Sequence, residues 1–150
     1  MALIIAAFSI SEAKNGNLEG NIMSQEEFDV LVAEDDDQIS YLLNFMLTRE
    51  GFKVKVANDG QEAMDAIAVI NKPKLILLDI MMPYYDGYQL IEHIRNNTDW
   101  KEVPIVMLTA KSQEKDIIKA LEGGANDYVV KPFQPGELIT RLKMLMKRAA

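Results

Sequence analysis

The chain has 150 residues, 49% hydrophobic and 26% charged, with no cysteine, and 16 basic against 23 acidic side chains leave a net charge of −7 at pH 7. That length gives one ordinary domain with one sizeable core, and the lack of cysteine rules out disulfides, thiolate metal sites and thiol nucleophiles and fits a reducing compartment, so a cytoplasmic location is expected. No apolar run reaches the ~18 to 20 residues of a membrane-spanning helix, and the acidic balance opposes attraction to nucleic acid or anionic lipid; protein partners are expected, with neither membrane nor direct nucleic-acid binding.

Residues 1–25 read as an amino-terminal extension of unknown role. Leu3 to Phe8 is apolar, yet no basic residue precedes it as a secretory signal requires, and Met23 stands just ahead of the first strand. Residues 1–22 therefore read as a fused or vector-derived leader, and 26–150 as the domain. Residues 28–33 form a buried strand that runs into four acids, Glu34, Asp35, Asp36 and Asp37. Ile39, Leu42, Leu43, Met46 and Leu47 then recur at helical spacing until Gly51. Residues 53–57 alternate polar and apolar as an edge strand does, and Asn58 or Asp59 caps a helix carrying Ala63, Met64, Ile67 and Ile70. Residues 75–78 are a continuous apolar run ending in Asp79, followed by a loop broken at Pro83 and Gly87. A helix through Leu90, Ile91 and Ile94 leads to a strand over 103–108 that ends in Thr109. A helix from about 113 to 122 stops at Gly123-Gly124, the strand 128–130 ends in Lys131, and Pro135 opens a last helix.

About five strands alternating with about five helices on short loops specify an α/β domain with a doubly wound parallel sheet. In such a sheet the carboxyl ends of the strands open onto one crevice, so Glu34, Asp35, Asp79, Thr109 and Lys131 converge there. For Asp79 taken alone, a loop-capping carboxylate is the alternative. Clustered carboxylates need a cation, and hard oxygen ligands favour Mg²⁺. A metal with open positions, a lysine for phosphoryl charge and a threonine hydroxyl suit phosphoryl transfer, with Asp79 as the nucleophile.

These residues resemble the CheY-like receiver domain of two-component response regulators, closest in character to the OmpR/PhoB type, over about 28–148. The motifs that carry the resemblance are Val-Leu-Val-Ala-Glu-Asp-Asp at 30–36, Leu-Leu-Asp-Ile-Met-Met-Pro at 77–83, Asp-Gly at 86–87, Leu-Thr-Ala-Lys at 108–111 and Asp-Tyr-Val-Val-Lys-Pro-Phe at 127–133. The resemblance implies a flavodoxin-like five-stranded sheet in the order 2-1-3-4-5. It implies that Asp79 accepts a phosphoryl group from a sensor histidine kinase. Asp35 would ligate Mg²⁺ directly, Glu34 through water, and Met81 through its backbone carbonyl, while Thr109 and Lys131 contact the phosphoryl group. Glu34 departs from the Asp found in many members. Asp36 and Asp37 read as helix cap and first-turn charge. Met81 and Lys111 would flank the path of the hydrolytic water.

By the same resemblance Thr109 and Tyr128 form the switch, and the face made by the fourth helix, fifth strand and last helix carries the output to a downstream protein or effector domain. Ile118, Leu121 and Ile139 are the apolar candidates for a homodimer on that face, with Asp127 and Arg141 as an ion pair; Ile117 stands where such dimers carry a basic residue. The single histidine, His93, reads as solvated beside Glu92 and Arg95, and Trp100 as packed in the loop before the fourth strand. Tyr84-Tyr85 reads as a partner contact or a cover for the site. The only catalysis expected is phosphotransfer to its own aspartate and autodephosphorylation. Two alternatives stand beside this reading: the receiver of a DNA-binding transcriptional regulator, and a Mg²⁺-dependent phosphohydrolase, which would want a second acid where Met81 stands.

Overall fold

Short apolar runs, each followed by a helix, set the architecture of the computed structural model, which describes residues 26–149. In chain order the elements are β1 (Val30–Ala33), α1 (Asp37–Arg49), β2 (Val54–Ala57), α2 (Gly60–Val69), β3 (Leu75–Leu78), α3 (Gly87–Arg95), β4 (Ile105–Thr109), α4 (Glu114–Glu122), β5 (Asp127–Val130) and α5 (Pro135–Ala149). All strand pairs are parallel and the order across the sheet is β2-β1-β3-β4-β5. The expected order and doubly wound class are therefore what the chain adopts.

The central strands β1, β3 and β4 are buried along their whole length because helices cover both faces. On one face Leu31, Ala33, Ile76, Leu78, Ile105 and Met107 meet Ala66 and Ile67 of α2, Leu90, Ile91 and Ile94 of α3, and Ala120 of α4. On the other, Val30, Val32, Leu75, Leu77, Val106 and Leu108 meet Leu43 and Leu47 of α1 and Leu138 and Leu142 of α5. Alternate residues of each strand thus feed alternate layers. The edge strand β2, expected from its alternation, is only half-buried over Val54, Lys55 and Val56. Trp100 is buried in the loop before β4 and His93 is exposed, both as read from sequence.

Strand β1 starts two residues later than the sequence pattern indicates. Asp29 is diverted from the ladder: its carboxylate accepts from Lys53 N at 2.7 Å and its carbonyl accepts from Lys74 N and Leu75 N at 2.8 and 3.1 Å. Asp36 caps α1 by accepting from Gln38 N and Ile39 N, Asp59 caps α2, and Asp86 and Gln89 close a reciprocal capping box at α3. Gln113, before α4, makes no such bond. The readings of residues 1–25 as an extension and of 1–22 as a leader lie outside the described residues.

Candidate functional site

Register brings the candidate residues together. β1 and β3 are aligned so that Ala33 faces Leu78, and the ladder continues one step as Asp79 N donates to Ala33 O at 3.0 Å. Glu34 and Asp79 are therefore adjacent at the carboxyl edge. On the far side Lys131 N donates to Thr109 O at 2.9 Å, which extends the β4–β5 ladder past its last pair, Thr109 with Val130. The polar residue that ends each apolar run is thereby delivered to one crevice.

Glu34, Asp79 and Thr109 are almost fully buried there, at 1%, 6% and 1% exposure, while Asp35 is exposed. Lys131 Nζ bridges the two buried carboxylates, 2.8 Å from Glu34 Oε1 and 3.2 Å from Asp79 Oδ2. Asp79 Oδ1 accepts from Ile80 N at 2.7 Å and Glu34 Oε2 accepts from Asp36 N at 3.1 Å. Burial pushes the Glu34 carboxyl up to about 7; the bond from Lys131 opposes the rise and the charge of Asp79 adds to it. For Lys131 burial acts downward, but the bond to Glu34 and the charges of Asp79 and Glu34 outweigh it and raise the ammonium. One oxygen from each of Glu34, Asp35 and Asp79 lies within 4.8 Å of the other two, an all-oxygen set of the size and chemistry that a hard divalent cation takes. Among the described residues this is the one acidic cluster of that kind.

The loop after β3 is fixed by close packing. Gly87 N donates to Ile80 O at 2.7 Å, and a Cβ on Gly87 would lie 2.5 Å from Asp79 O and 2.8 Å from Ile80 Cα, so the loop returns against its own strand only with glycine there. Met81 and Tyr84 stand exposed on this loop, Tyr84 with a left-handed φ of 75°, whereas Tyr85 packs on the core.

Behind the crevice, Thr109 Oγ1 accepts from Lys111 N at 3.3 Å and the Tyr128 hydroxyl donates to Lys111 O. Burial, with the nearby Tyr88, Asp116 and Asp79, pushes the Tyr128 hydroxyl up to about 12. Lys111 is thus the backbone link between the two expected switch residues. Tyr88 and Asp116, which the sequence pattern does not single out, also adjoin this link, and only the tertiary fold brings them there.

On the α4–β5–α5 face Arg141 Nη1 lies 3.0 Å from Asp127 Oδ2 within one chain, and Arg141 also pairs with Glu137 at 3.1 Å. Ile118 and Leu121 are exposed. Ile139 does not join them. At ~100° per residue, positions 139 and 141 fall on opposite flanks of the buried Leu138, so with Arg141 turned to β5, Ile139 faces α1 and lines a hollow with Phe45, Met46 and Lys143. The three-residue apolar patch expected from sequence is reduced to two residues of α4.

Among the described residues no helix is long and apolar enough to cross a membrane. Comparison with known proteins gives the family. Over 120 residues, 80% of this chain, the sequence is 42% identical to the transcriptional regulatory protein SrrA of Staphylococcus aureus, and the chain spans about half the length (48%) of that relative. The receiver domain of Francisella response regulator 1452 superimposes with a TM-score of 0.75 at 36% identity, covering 81% of this chain and 98% of that one. The BeF3-activated DrrB receiver domain gives 0.73 at 29% identity, covering 82% and 100%. With residues 30–143 matching the family described as the response regulator receiver domain, the chain belongs to the response regulator receivers.

Proposed function

We propose that Asp79 is the phosphoacceptor of this receiver and that a sensor histidine kinase is the phosphodonor. The observation that carries the reading is the bridge of Lys131 between Asp79 and Glu34 beside Thr109, in a crevice with Asp35 at its mouth. Once Asp79 carries a phosphoryl group, Lys131 Nζ would move its charge onto one of its oxygens and the Thr109 hydroxyl would donate to another. An Asp79 carboxylate oxygen attacks phosphorus, the phosphorus–nitrogen bond to the kinase imidazole breaks, and the departing imidazole nitrogen is protonated. Glu34, Asp35, Asp79 and the Met81 carbonyl are the groups that would hold Mg²⁺, whose chemistry is to neutralise charge on the transferring phosphoryl oxygens. Phosphorylation draws Thr109 toward Asp79, and through Lys111 and Tyr128 changes the α4–β5–α5 surface seen by a downstream protein or effector domain. Catalysis by the chain is limited to this transfer and its hydrolytic reversal.

The likeness to SrrA supports a second reading at a different level, in which this receiver controls a DNA-binding regulator. The test of the first reading is intact-mass measurement after incubation with acetyl phosphate. Wild type gains one phosphoryl group with Mg²⁺ and none with chelator, and Asp79→Asn gains none; uptake by Asp79→Asn equal to wild type contradicts the assignment.

A further inference from the structure

We propose that α4 is a lever hinged at its carboxyl end by Arg95 and latched at its amino end by Tyr88, and that Tyr88 is a positioning residue for the Thr109–Tyr128 switch. The positioning role rests on the switch proposed above; the hinge and latch rest on geometry alone.

α4 has little apolar anchorage. It fully buries only Ala120, whereas the neighbouring α3 buries Leu90, Ile91 and Ile94, and the amino end of α4 lacks a side-chain cap. Specific contacts must therefore hold it. At the carboxyl end Arg95 Nε and Nη2 donate to Gly124 O at 3.0 and 2.7 Å, and Nη2 donates to Asn126 Oδ1 at 3.0 Å. Arg95 Nη1 fastens the same guanidinium to Val103 O and Lys101 O at 2.7 and 2.9 Å. Gly124 has a φ of 120°, and a Cβ there would lie 2.9 Å from Arg95 Cγ, so this grip requires glycine.

The amino end is held more lightly. The Tyr88 hydroxyl donates to Asp116 O at 3.4 Å, and Lys119 Nζ stands 4.2 Å from the centre of the Tyr88 ring. Charge-assisted bonds at 2.7 to 3.0 Å outrank a neutral bond at 3.4 Å and an exposed cation–π contact, so the amino end releases first and the helix turns about Arg95. The lightly held end is also the one joined to the crevice. Lys111 Nζ lies 4.0 Å from Asp116 Oδ1, the Lys111 amide donates to Thr109 Oγ1, and the Lys111 carbonyl accepts from Tyr128. A displacement of Thr109 therefore acts on Lys111, which is joined to Asp116, the residue Tyr88 holds.

The experiment is amide hydrogen exchange on the full chain without phosphodonor, followed by acetyl phosphate uptake with Mg²⁺. Tyr88→Leu is expected to raise exchange at residues 116–119 about fivefold, the population shift expected for losing a weak hydrogen bond and a surface cation–π pair, and to leave 123–126 unchanged. Tyr88→Phe, which keeps the ring under Lys119, shows a smaller rise, and Arg95→Gln raises exchange at 123–126. Exchange unchanged in Tyr88→Leu, or raised uniformly to residue 126, overturns the latch. In the second measurement Tyr88→Leu takes up phosphate about fivefold faster than wild type and Tyr88→Phe lies between. An unchanged rate beside raised exchange overturns the positioning role. Failure of wild type to take up phosphate contradicts the Asp79 assignment and the positioning role with it, while the exchange pattern still decides the hinge.

Discussion

Two carboxylates that bury almost completely against one lysine set the energetics at the scale of single residues. Without a cation in the crevice, Glu34 gains its proton more readily folded than unfolded, because its folded value of about 7 stands above the ordinary 4.5. The folded state then binds more protons through that window, so the stability contributed by protonated Glu34 is full below about 4.5 and lost as pH rises through about 7. Metal-free protein is expected to show a denaturant midpoint falling from pH 5 to pH 8, a slope that Glu34→Gln flattens; equal slopes in the two proteins contradict the role given to Glu34. Lys131→Met removes the cation bonded to both carboxylates, the donor proposed for the phosphoryl group. Acetyl phosphate uptake should slow by about a hundredfold, the usual effect of losing one donor to developing charge. These residues were legible because each is the first polar side chain after an apolar run, and parallel register sends such residues to one edge. Tyr88, Asp116 and Arg95 were not, since their partners lie across α3, α4 and the turns beyond, at separations no local pattern encodes. Ile139 was misplaced for a related reason: spacing fixes the phase of α5 relative to its own core side, but not which neighbour flanks each side.

Helix caps and close turns position the site at the scale of elements. The Asp86 side chain accepts from Gln89 N at 2.9 Å while Gln89 Oε1 accepts from Asp86 N at 2.9 Å, which fixes the start of α3 and so the return of the loop after Asp79. Asp86→Ala should lower unfolding free energy by about 1 kcal/mol in urea titration, and Asp86→Asn by clearly less, because an amide oxygen still caps. Equal losses would mean that charge, not capping, is what matters. Element type and order followed from apolar runs, Asp caps and Gly or Pro breaks, and five strands and five helices appear as those signals indicate. Boundaries followed less closely: β1 is shortened at Asp29, whose side chain closes onto Lys53 N, and α2 ends at Val69, with Ile70 still buried beyond it.

At the scale of the whole molecule, five aligned strand ends create a functional edge that no single element possesses. A cation held by Glu34, Asp35 and Asp79 would tie the ends of β1 and β3 together, so its binding would add to folding free energy. At about a hundred times its dissociation constant, Mg²⁺ should raise stability by about 2.7 kcal/mol in wild type. Asp35→Asn should respond far less, and a midpoint insensitive to Mg²⁺ in wild type would remove the metal from the account. Sheet order, helix packing on both faces and the shared crevice were all legible because parallel crossovers leave few alternatives. The shape of the α4–β5–α5 face was not, since it depends on how α4 and α5 rotate against the sheet. The central claim is that Asp79, and no other acid in the crevice, carries the phosphoryl group. Borohydride reduction of the phosphorylated protein converts an acyl phosphate to an alcohol, and peptide mass mapping then locates it. The account predicts homoserine at position 79 with Asp35, Asp36 and Glu34 unmodified, and reduction at any of those three with Asp79 intact would contradict it.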